Sequence, residues 1–350
     1  MAGDTDRENW SGTLGFVLAA VGSAVGLGNV WKFPYMAGDN GGGAFVMVYF
    51  ACIAVIGLPM LVTEMVIGRR SDKSPVGAYH KLAKEGSAQV WSIFGFLAVV
   101  TGFLLLSFYS VVGGWTIGYV VKAVNGQFAT TPAEKIPGLF GKLASDPVWA
   151  TTYHGIFMAA TVGVVYGGVS DGIERATKII MPVFGLLLFG LVAYSFTLPG
   201  ASEGITFLFA PDFSAINATV VLDAMGQALF TLSLGMGAMI VYGSYLNSED
   251  SILGSAVYVA IFNTLVALMA GVAIFGVVFS SNVEPAGGPS LVFETMPKLL
   301  TSLPGGNLFS IVFFVLLGFA ALTSSISLLE VVVSYFVDER DMERHSVALV

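Results

Sequence analysis

The sequence predicts an all-α fold, a polytopic bundle of transmembrane helices, and two observations carry this prediction. First, 55% of the 350 residues are hydrophobic, only 11% are charged, and the mean hydropathy is +0.82. A soluble domain carries roughly 25% charged residues because its surface has to be wetted. Second, the chain contains repeated apolar stretches of the length, about 20 residues, that crosses a bilayer. We therefore treat residues 1–350 as a single membrane domain.

Charge-free or nearly charge-free stretches predict eight spans in chain order. They lie within residues 14–35, 44–67, 86–121, 151–169, 179–202, 224–248, 251–283 and 299–329. Two of their interiors, 99–106 and 311–317, are predominantly apolar and show no alternation with polar residues. The strands of a membrane β-barrel instead alternate between apolar and polar residues, so the spans are predicted to be helices.

Lysine and arginine are distributed unevenly between the loops. With the N-terminus in the cytoplasm, ten of the 15 basic residues fall on the cytoplasmic side. The positive-inside rule therefore predicts this orientation, in a cell membrane. The long connections 125–150, 199–218 and 280–307 would then lie outside, and residues 282–306, rich in proline and glycine, would form an extracellular cap loop.

Several function classes are disfavoured by composition and spacing. The net charge of −8 argues against nucleic-acid binding, which uses basic surfaces. The histidines, His80, His154 and His345, have no metal-ligand spacing, and Gly26 and Gly28 lack the third glycine and the preceding strand of a dinucleotide fingerprint. We therefore expect no enzyme.

Two predicted helices carry glycine and polar residues at mid-span. The first contains Gly22-Ser23-Ala24-Val25-Gly26-Leu27-Gly28-Asn29, and the sixth contains Phe230-Thr231-Leu232-Ser233-Leu234-Gly235-Met236-Gly237. Non-helical backbone at membrane depth is tolerated only where protein buries it or a cavity borders it. A break frees amides that suit a carboxylate and carbonyls that suit a hard cation such as Na⁺. Paired broken helices are typical of inverted-repeat secondary transporters, although a single GxxxG is also a helix-packing seam.

The eighth predicted helix offers hydroxyl groups, and two carboxylates lie within spans. Thr323, Ser324 and Ser325 either face the first break as ion ligands or bond back to their own helix. Glu64 and Glu330 are candidates for function because carboxylates inside a membrane are costly. A structural hydrogen-bonding role is the alternative for both.

At these residues the chain resembles the neurotransmitter:sodium symporter family, in particular bacterial amino-acid:sodium symporters of the leucine-transporter type. The resemblance covers essentially the whole chain. It rests on Arg7 with Trp10, residues 22–34, the NGGGAF motif at 40–45, residues 57–68, Phe108-Tyr109 with Trp115, residues 226–237, Asn263, and Thr323-Ser324-Ser325. It implies an inverted-repeat fold in which helices 1 and 6 are broken.

The resemblance also implies binding sites for one amino-acid substrate and two sodium ions. The substrate residues would be Ala24, Gly28, Leu105, Tyr109, Phe230, Thr231, Ser233, Met236 and Leu328. The first sodium site would use Ala24, Asn29, Thr231 and Asn263, and the second Gly22, Val25, Ala320, Thr323 and Ser324. The gate residues would be Lys32 on the outside and Arg7, Trp10, Tyr245 and Asp338 on the inside.

Three positions depart from the family pattern. Lys32 stands where an arginine is common, so a bidentate outer ion pair is unavailable. Met236 replaces an aromatic residue and makes the pocket wall adaptable. Ala267 offers neither a carboxylate nor a hydroxyl at the chloride position, whereas Tyr49 and Gln227 match, so chloride dependence stays open.

The length also departs from the family pattern of two five-helix repeats. Residues 11–198 would hold helices 1–5 as the first repeat, and residues 219–338 helices 6–8 as an incomplete second repeat. We therefore expect a chain truncated after the eighth helix, which lacks the acid of the outer gate. A native eight-helix protein is the alternative.

The leading functional hypothesis is Na⁺-coupled symport of a hydrophobic or aromatic amino acid by alternating access. The pocket residues Leu105, Phe230, Met236 and Leu328 carry no charge and predict an apolar zwitterion. The second hypothesis is a truncated, non-transporting membrane protein that binds amino acid and Na⁺ but does not cycle. A channel is disfavoured because no ring of filter carbonyls or acidic residues is evident.

Overall fold

The computed structural model describes residues 8–281, 283 and 290–349. All regular secondary structure in these ranges is helical, which confirms the all-α prediction. The first half contains α1 (Thr13–Ala24), α2 (Gly28–Asp39), α3 (Gly43–Ser71), α4 (Pro75–Leu82), α5 (Ala88–Val124), α6 (Gln127–Thr130), α7 (Gly138–Ser145), α8 (Pro147–Tyr166) and α9 (Val169–Phe196). The second half contains α10 (Ala201–Phe209), α11 (Ala218–Thr231), α12 (Ala238–Gly243), α13 (Ile252–Ser280), α14 (Met296–Thr301), α15 (Gly306–Arg340) and α16 (Arg344–Leu349).

Six of these helices are long and apolar enough to cross a membrane, namely α3, α5, α8, α9, α13 and α15. The pair α1 and α2 makes a seventh span, bent by 46° at its break. The predicted sixth span consists of two shorter helices, α11 and α12. All eight predicted spans are therefore helical, but only seven of them are long enough to cross a membrane.

Both predicted breaks are present. Between α1 and α2 the backbone leaves the α-conformation at Val25, and a π-helical turn follows over Gly28–Lys32. Between α11 and α12, Ser233, Gly235 and Gly237 have φ values of 55°, 80° and 81°. This left-handed region is readily adopted only by glycine, so Gly235 and Gly237 permit the break and Ser233 is held there by its surroundings.

Polar side chains and left-handed residues fix the ends of several helices. The Asp146 carboxylate accepts hydrogen bonds from the Val148 and Trp149 amides at the start of α8. Asn217 and Ser251 cap α11 and α13 in the same manner. At the other termini, Asp72 and Asp341 adopt left-handed conformations and end α3 and α15. Capping satisfies amides that would otherwise lack a partner.

Helix α15 lies at the centre of the bundle. Its most apolar window is 67% buried, against 17% for α8, which lies at the periphery. Helix α15 packs against α5, α8 and α9, and also contacts α1 near the first break. The segments after α5, α9 and α13 meet at one end of the bundle, which we call the long-loop end, through contacts such as Phe140 with Phe293 and Tyr194 with Pro304. The opposite end is the short-loop end.

Part of the predicted cap loop, residues 282–306, lies outside the described residues, namely 282 and 284–289. Its described remainder includes a π-helical turn, Leu291–Thr295, followed by α14. The buried Phe293 ring of this turn contacts the rings of Trp31 and Trp115. The division of the helices into repeats 11–198 and 219–338 stays a prediction.

Replacing Gly68 by alanine is expected to lower the thermal unfolding midpoint of the detergent-solubilised protein. A Cβ atom there would lie 2.0 Å from the Ile240 carbonyl oxygen and 2.8 Å from the Ser244 amide of the short-loop end. Overpacking of this kind costs about 1–3 kcal/mol. Gly163→Ala in α8 is the matched control, because nothing lies within 4 Å of that position. Equal midpoints for the two variants would contradict the close packing of α3 and α12.

Candidate functional site

All nine predicted substrate residues surround one cavity between the two helix breaks. They are Ala24, Gly28, Leu105, Tyr109, Phe230, Thr231, Ser233, Met236 and Leu328. The cavity has a volume of about 10 Å³, which is room for about one water molecule. In this conformation the walls are therefore closed, and an amino acid would need them to separate.

Three further residues line this cavity, and each contributes a hydroxyl group. Ser324 was predicted as an ion ligand, whereas Ser23 and Ser327 were not predicted at all. The Ser23 hydroxyl donates to the Ser327 hydroxyl at 2.8 Å, and the Ser233 hydroxyl donates to the Ser23 carbonyl at 3.0 Å. These contacts hold the two breaks against α15.

Gly28 lies directly beneath the Phe230 ring. A Cβ atom on Gly28 would approach this ring to 3.2 Å, so glycine permits the contact. The Tyr109 hydroxyl lies against the Gly28 amide and the Ser324 hydroxyl. The rings of Tyr109 and Phe230 are 6.3 Å apart between centroids. An amide and a hydroxyl at one end of the cavity are suitable donors for a carboxylate.

The four predicted residues of the first sodium site converge beside this cavity. One end of the Asn263 amide lies 3.1 Å from the Ala24 carbonyl oxygen, 3.2 Å from the Thr231 carbonyl oxygen and 3.1 Å from the Thr231 hydroxyl. If the Asn263 oxygen points there, it accepts from the Thr231 hydroxyl and the Asn29 amide but faces two carbonyl oxygens, an arrangement that a hard cation would relieve. If the amide nitrogen points there, the same contacts are hydrogen bonds. The Asn29 amide donates to Asn263 at 2.8 Å and accepts from the Gly26 amide at 3.0 Å. The carbonyls of Ala24 and Thr231 and the Thr231 hydroxyl are oxygen donors that fit Na⁺, whereas the Asn29 oxygen is engaged by the Gly26 amide.

The predicted second sodium site is brought together in part. The Thr323 hydroxyl lies 3.3 Å from the Val25 carbonyl oxygen and 3.2 Å from the Ala320 carbonyl oxygen, and it also bonds one turn back in its own helix. The Ser324 hydroxyl donates to the Ser23 carbonyl at 3.2 Å. The Cα of Gly22 faces Thr177 and Met181 of α9. Carbonyl and hydroxyl oxygens from α1 and α15 therefore meet, as a cation site between these helices requires.

The positions matched to chloride binding are buried around Asn263. The Tyr49 hydroxyl lies 3.5 Å from the Asn263 amide. The Gln227 amide donates to the Gly28 carbonyl at 2.7 Å, and its own oxygen is buried without a partner among the described residues. Ala267 is fully buried and supplies no polar atom.

A larger cavity of about 730 Å³ lies on the long-loop side and shares Tyr109 and Phe230 with the closed one. These two rings therefore separate the cavities. The Lys32 ammonium lies 4.6 Å from the centroid of the Phe230 ring, a cation–π contact. The Asp223 carboxylate is near enough to Lys32 for their charges to attract each other. Sequence reasoning missed Asp223, which lies two turns before Phe230 in α11.

On the short-loop side the site is closed by aromatic rings. Trp10 donates from its indole nitrogen to the Tyr242 carbonyl at 3.0 Å and from its amide to the Tyr245 carbonyl at 3.1 Å. Its ring packs against the rings of Tyr242 and Tyr245. Trp10 and Tyr245, predicted as inner gate residues, thus lie together. Arg7 is outside the described residues, and Asp338 accepts a hydrogen bond from the Ser74 amide at 2.5 Å.

Beneath this aromatic layer lies a buried ion pair. Both Glu330 oxygens accept from the Arg344 guanidinium, at 3.0 and 2.5 Å, and the Tyr245 hydroxyl donates to Glu330 at 2.6 Å. The Glu330 side chain is fully buried, and that of Arg344 is 17% exposed. Burial alone would lower the pKa of Arg344, but the Glu330 charge and its hydrogen bonds outweigh this and raise it. The guanidinium therefore stays charged.

The two carboxylates within spans have different surroundings. Glu330 was a sequence candidate, but its partner Arg344 was not, because the two residues lie on different helices. One Glu64 oxygen accepts from the Gly235 amide at 2.7 Å, and the other is buried without a partner in the described part of the chain. Glu64, which lies in α3, thus binds the backbone of the second break through the Gly235 amide.

Comparison with known proteins agrees with this geometry. The model of the sodium:neurotransmitter symporter family matches residues 7–135 and 148–349. The uncharacterized sodium-dependent transporter YhdH of Bacillus subtilis is 43% identical over 325 residues, which are 93% of this chain and 71% of that protein. The sodium-dependent dopamine transporter of Bos taurus is 27% identical over 393 residues, which are 95% of this chain and 54% of that protein.

A solved structure has the same fold. The crystal structure of MhsT in complex with L-phenylalanine superimposes with a TM-score of 0.90 and 47% sequence identity, covering 98% of this chain and 77% of that one. Together with the apolar helices, this similarity identifies a multi-pass membrane protein with the leucine-transporter-like fold that the family resemblance implied. The chain belongs to the sodium:neurotransmitter symporter family.

Proposed function

We propose that this protein is a Na⁺-coupled symporter of a hydrophobic or aromatic amino acid that works by alternating access. The observation that carries the proposal is the convergence of nine predicted substrate residues on one cavity beside the carbonyl oxygens of Ala24 and Thr231 and the Thr231 hydroxyl. The match to a protein crystallised with L-phenylalanine supports an aromatic amino acid as substrate.

The cavity has distinct ends for the parts of an amino acid. The Gly28 amide and the Tyr109 hydroxyl would bind the carboxylate, while the carbonyls of Ala24 and Thr231 would accept from the ammonium group. The apolar side chain would contact Leu105, Met236 and Leu328. Since Met236 has three rotatable bonds, this wall can adapt to side chains of different size.

Coupling has a direct physical cause in this arrangement. The Ala24 and Thr231 residues belong both to the substrate cavity and to the first oxygen cluster. A sodium ion bound there would lie next to the substrate carboxylate, and opposite charges in a dry site attract strongly. Each would then raise the affinity of the other, and this linkage is reciprocal. Sodium at the second site would join α1 to α15.

The barriers on the two sides of the site suggest how access alternates. On the long-loop side, the rings of Tyr109 and Phe230 line both the site and the larger cavity and lie between them. On the short-loop side, the Trp10 aromatic layer and the Glu330–Arg344 ion pair both intervene. The barrier on the long-loop side would open first, to the outside. The barrier on the short-loop side would open only after substrate and Na⁺ have bound. The N-terminus would then be cytoplasmic.

Binding of radiolabelled L-phenylalanine to the purified protein tests the coupling. We expect binding in NaCl and little binding in KCl, and competition by leucine, tryptophan and tyrosine but not by glutamate or lysine. Equal binding in the two salts would contradict the proposal. Replacing chloride by gluconate in the sodium buffer measures chloride dependence separately.

Transport is tested by uptake into proteoliposomes with an inward sodium gradient. Accumulation above the external concentration, abolished when the gradient is dissipated, is the result expected of a symporter. Sodium-dependent binding without accumulation would instead identify a binding protein that does not cycle.

A further inference from the structure

A polar cavity at the long-loop end lies away from the substrate site. Its volume is about 340 Å³. It lies between the end of α5, helix α7 and the start of α8. Its walls are Val121, Lys122, Asn125, Gln127, Lys142, Leu143, Asp146, Trp149 and Tyr153. None of these residues takes part in the proposed transport mechanism.

Two lysines from different helices face this cavity. Lys122 is in the last turn of α5 and Lys142 is in α7, and their positive charges are near enough to repel each other. Neither forms an ion pair with a described residue. The dipole at the end of α5 explains Lys122, which also donates to the Gln127 side-chain oxygen at 3.3 Å. The helix dipole does not explain why Lys142 lies beside Lys122.

The acidic residue in the cavity is already engaged. One oxygen of Asp146 accepts from the Val148 and Trp149 amides at 3.0 and 3.1 Å, so its charge is held at the start of α8. Gln127 and Tyr153 also line the cavity, and their side chains carry an amide and a hydroxyl donor. Two ammonium groups, an amide and a phenol form a set of donors with the charge and number that a phosphate group requires.

The cavity also borders the lipid-facing surface. Val121 is 39% exposed and Trp149 is 53% exposed, and the Trp149 ring stacks on the ring of Tyr153. Tryptophan and tyrosine are enriched at the level of lipid headgroups. We propose that this cavity binds a phosphate group, with the phosphodiester of an anionic lipid as its source and Lys122 and Lys142 as the residues that carry the affinity.

Thermal unfolding of the purified full-length chain in detergent tests this site. We expect phosphatidylglycerol to raise the unfolding midpoint and phosphatidylcholine at the same concentration to leave it unchanged. The variant with both Lys122→Gln and Lys142→Gln should lose the shift, with a dissociation constant about 25-fold higher, since each lysine near a lipid phosphate contributes about fivefold. Lys135→Gln is the matched control, because this lysine is exposed and lies outside the cavity.

Two further measurements distinguish the source of the phosphate and the role of Asp146. Inorganic phosphate that stabilises the wild-type chain but not the double variant would support the site with a soluble anion as its source. Asp146→Asn retains a capping oxygen and removes the negative charge, so we expect tighter phosphatidylglycerol binding. The proposal is overturned if the double variant keeps the full phosphatidylglycerol shift, or if phosphatidylcholine gives the same shift. Native mass spectrometry of retained lipid provides an independent readout. Neither thermal unfolding nor mass spectrometry depends on amino-acid transport.

Discussion

Replacing Glu330 by glutamine is expected to destabilise the protein by about 3–5 kcal/mol, the cost of leaving one member of a buried ion pair without its partner. The Arg344 guanidinium would stay charged, because the pKa of an arginine is too high for it to lose its proton. It would then keep the hydrogen bond to the Val165 carbonyl, 3.3 Å away, and the attraction of the more distant Glu8 carboxylate, but it would lose the counter-charge to which it is directly bonded. The measurement is the thermal and denaturant-induced unfolding of the detergent-solubilised protein.

A double-mutant cycle separates this ion pair from general damage to α15. Arg344→Met should also destabilise the protein, whereas the double variant, Glu330→Gln with Arg344→Met, should be more stable than either single variant. The expected recovery arises because no unpaired charge remains buried. Glu343→Gln is the control, because that carboxylate is 74% exposed and should change stability by less than about 0.5 kcal/mol. A double variant destabilised by the sum of the two single effects would show that the two side chains act independently.

The second prediction concerns sodium. Asn263→Leu should lower the advantage of Na⁺ over K⁺ in L-phenylalanine binding by about 5- to 150-fold, the usual range of coupling between two ligands. Leucine has a similar volume but removes the amide group that lies against the Ala24 carbonyl and both oxygens of Thr231. Affinity measured at several sodium concentrations is the readout.

Two other variants show whether the loss of sodium dependence is specific to the sodium sites. Thr323→Val removes the hydroxyl that lies between Val25 and Ala320, and should weaken sodium dependence without altering the Asn263 cluster. Ser334→Ala removes a hydroxyl that bonds only within α15, to the Val331 carbonyl, and should leave sodium dependence unchanged. Unchanged sodium dependence in Asn263→Leu, with the unfolding midpoint preserved, would refute the role of the first site.

Much of this architecture could be predicted from the sequence because its signals are local. Apolar stretches about 20 residues long act within one helix, and glycines act within one or two turns. Gly26, Gly28, Gly235 and Gly237 therefore indicated both breaks before any contact was known. The span count differed at α11 and α12, where the second break leaves two helices that are each too short to cross a membrane.

The residues of the substrate cavity could be predicted because their motifs match those of a family. Hydrophobic periodicity did not indicate them. The motifs led to nine residues on four chain segments that line one cavity. The additional hydroxyls of Ser23 and Ser327 were missed, since residues 304 positions apart carry no shared sequence signal. Asp223 was missed because its partner Lys32 lies in another broken helix.

The sequence by itself determined that this chain lies in a membrane, where its helices run and where two of them break. Those properties depend on hydrophobicity and backbone freedom, which each residue carries with it. Only the tertiary structure decided which other polar groups meet, including Glu330 with Arg344, Ser23 with Ser327, and Lys122 with Lys142. These pairings depend on how the helices pack, and helix packing is set by contacts between residues far apart in the chain.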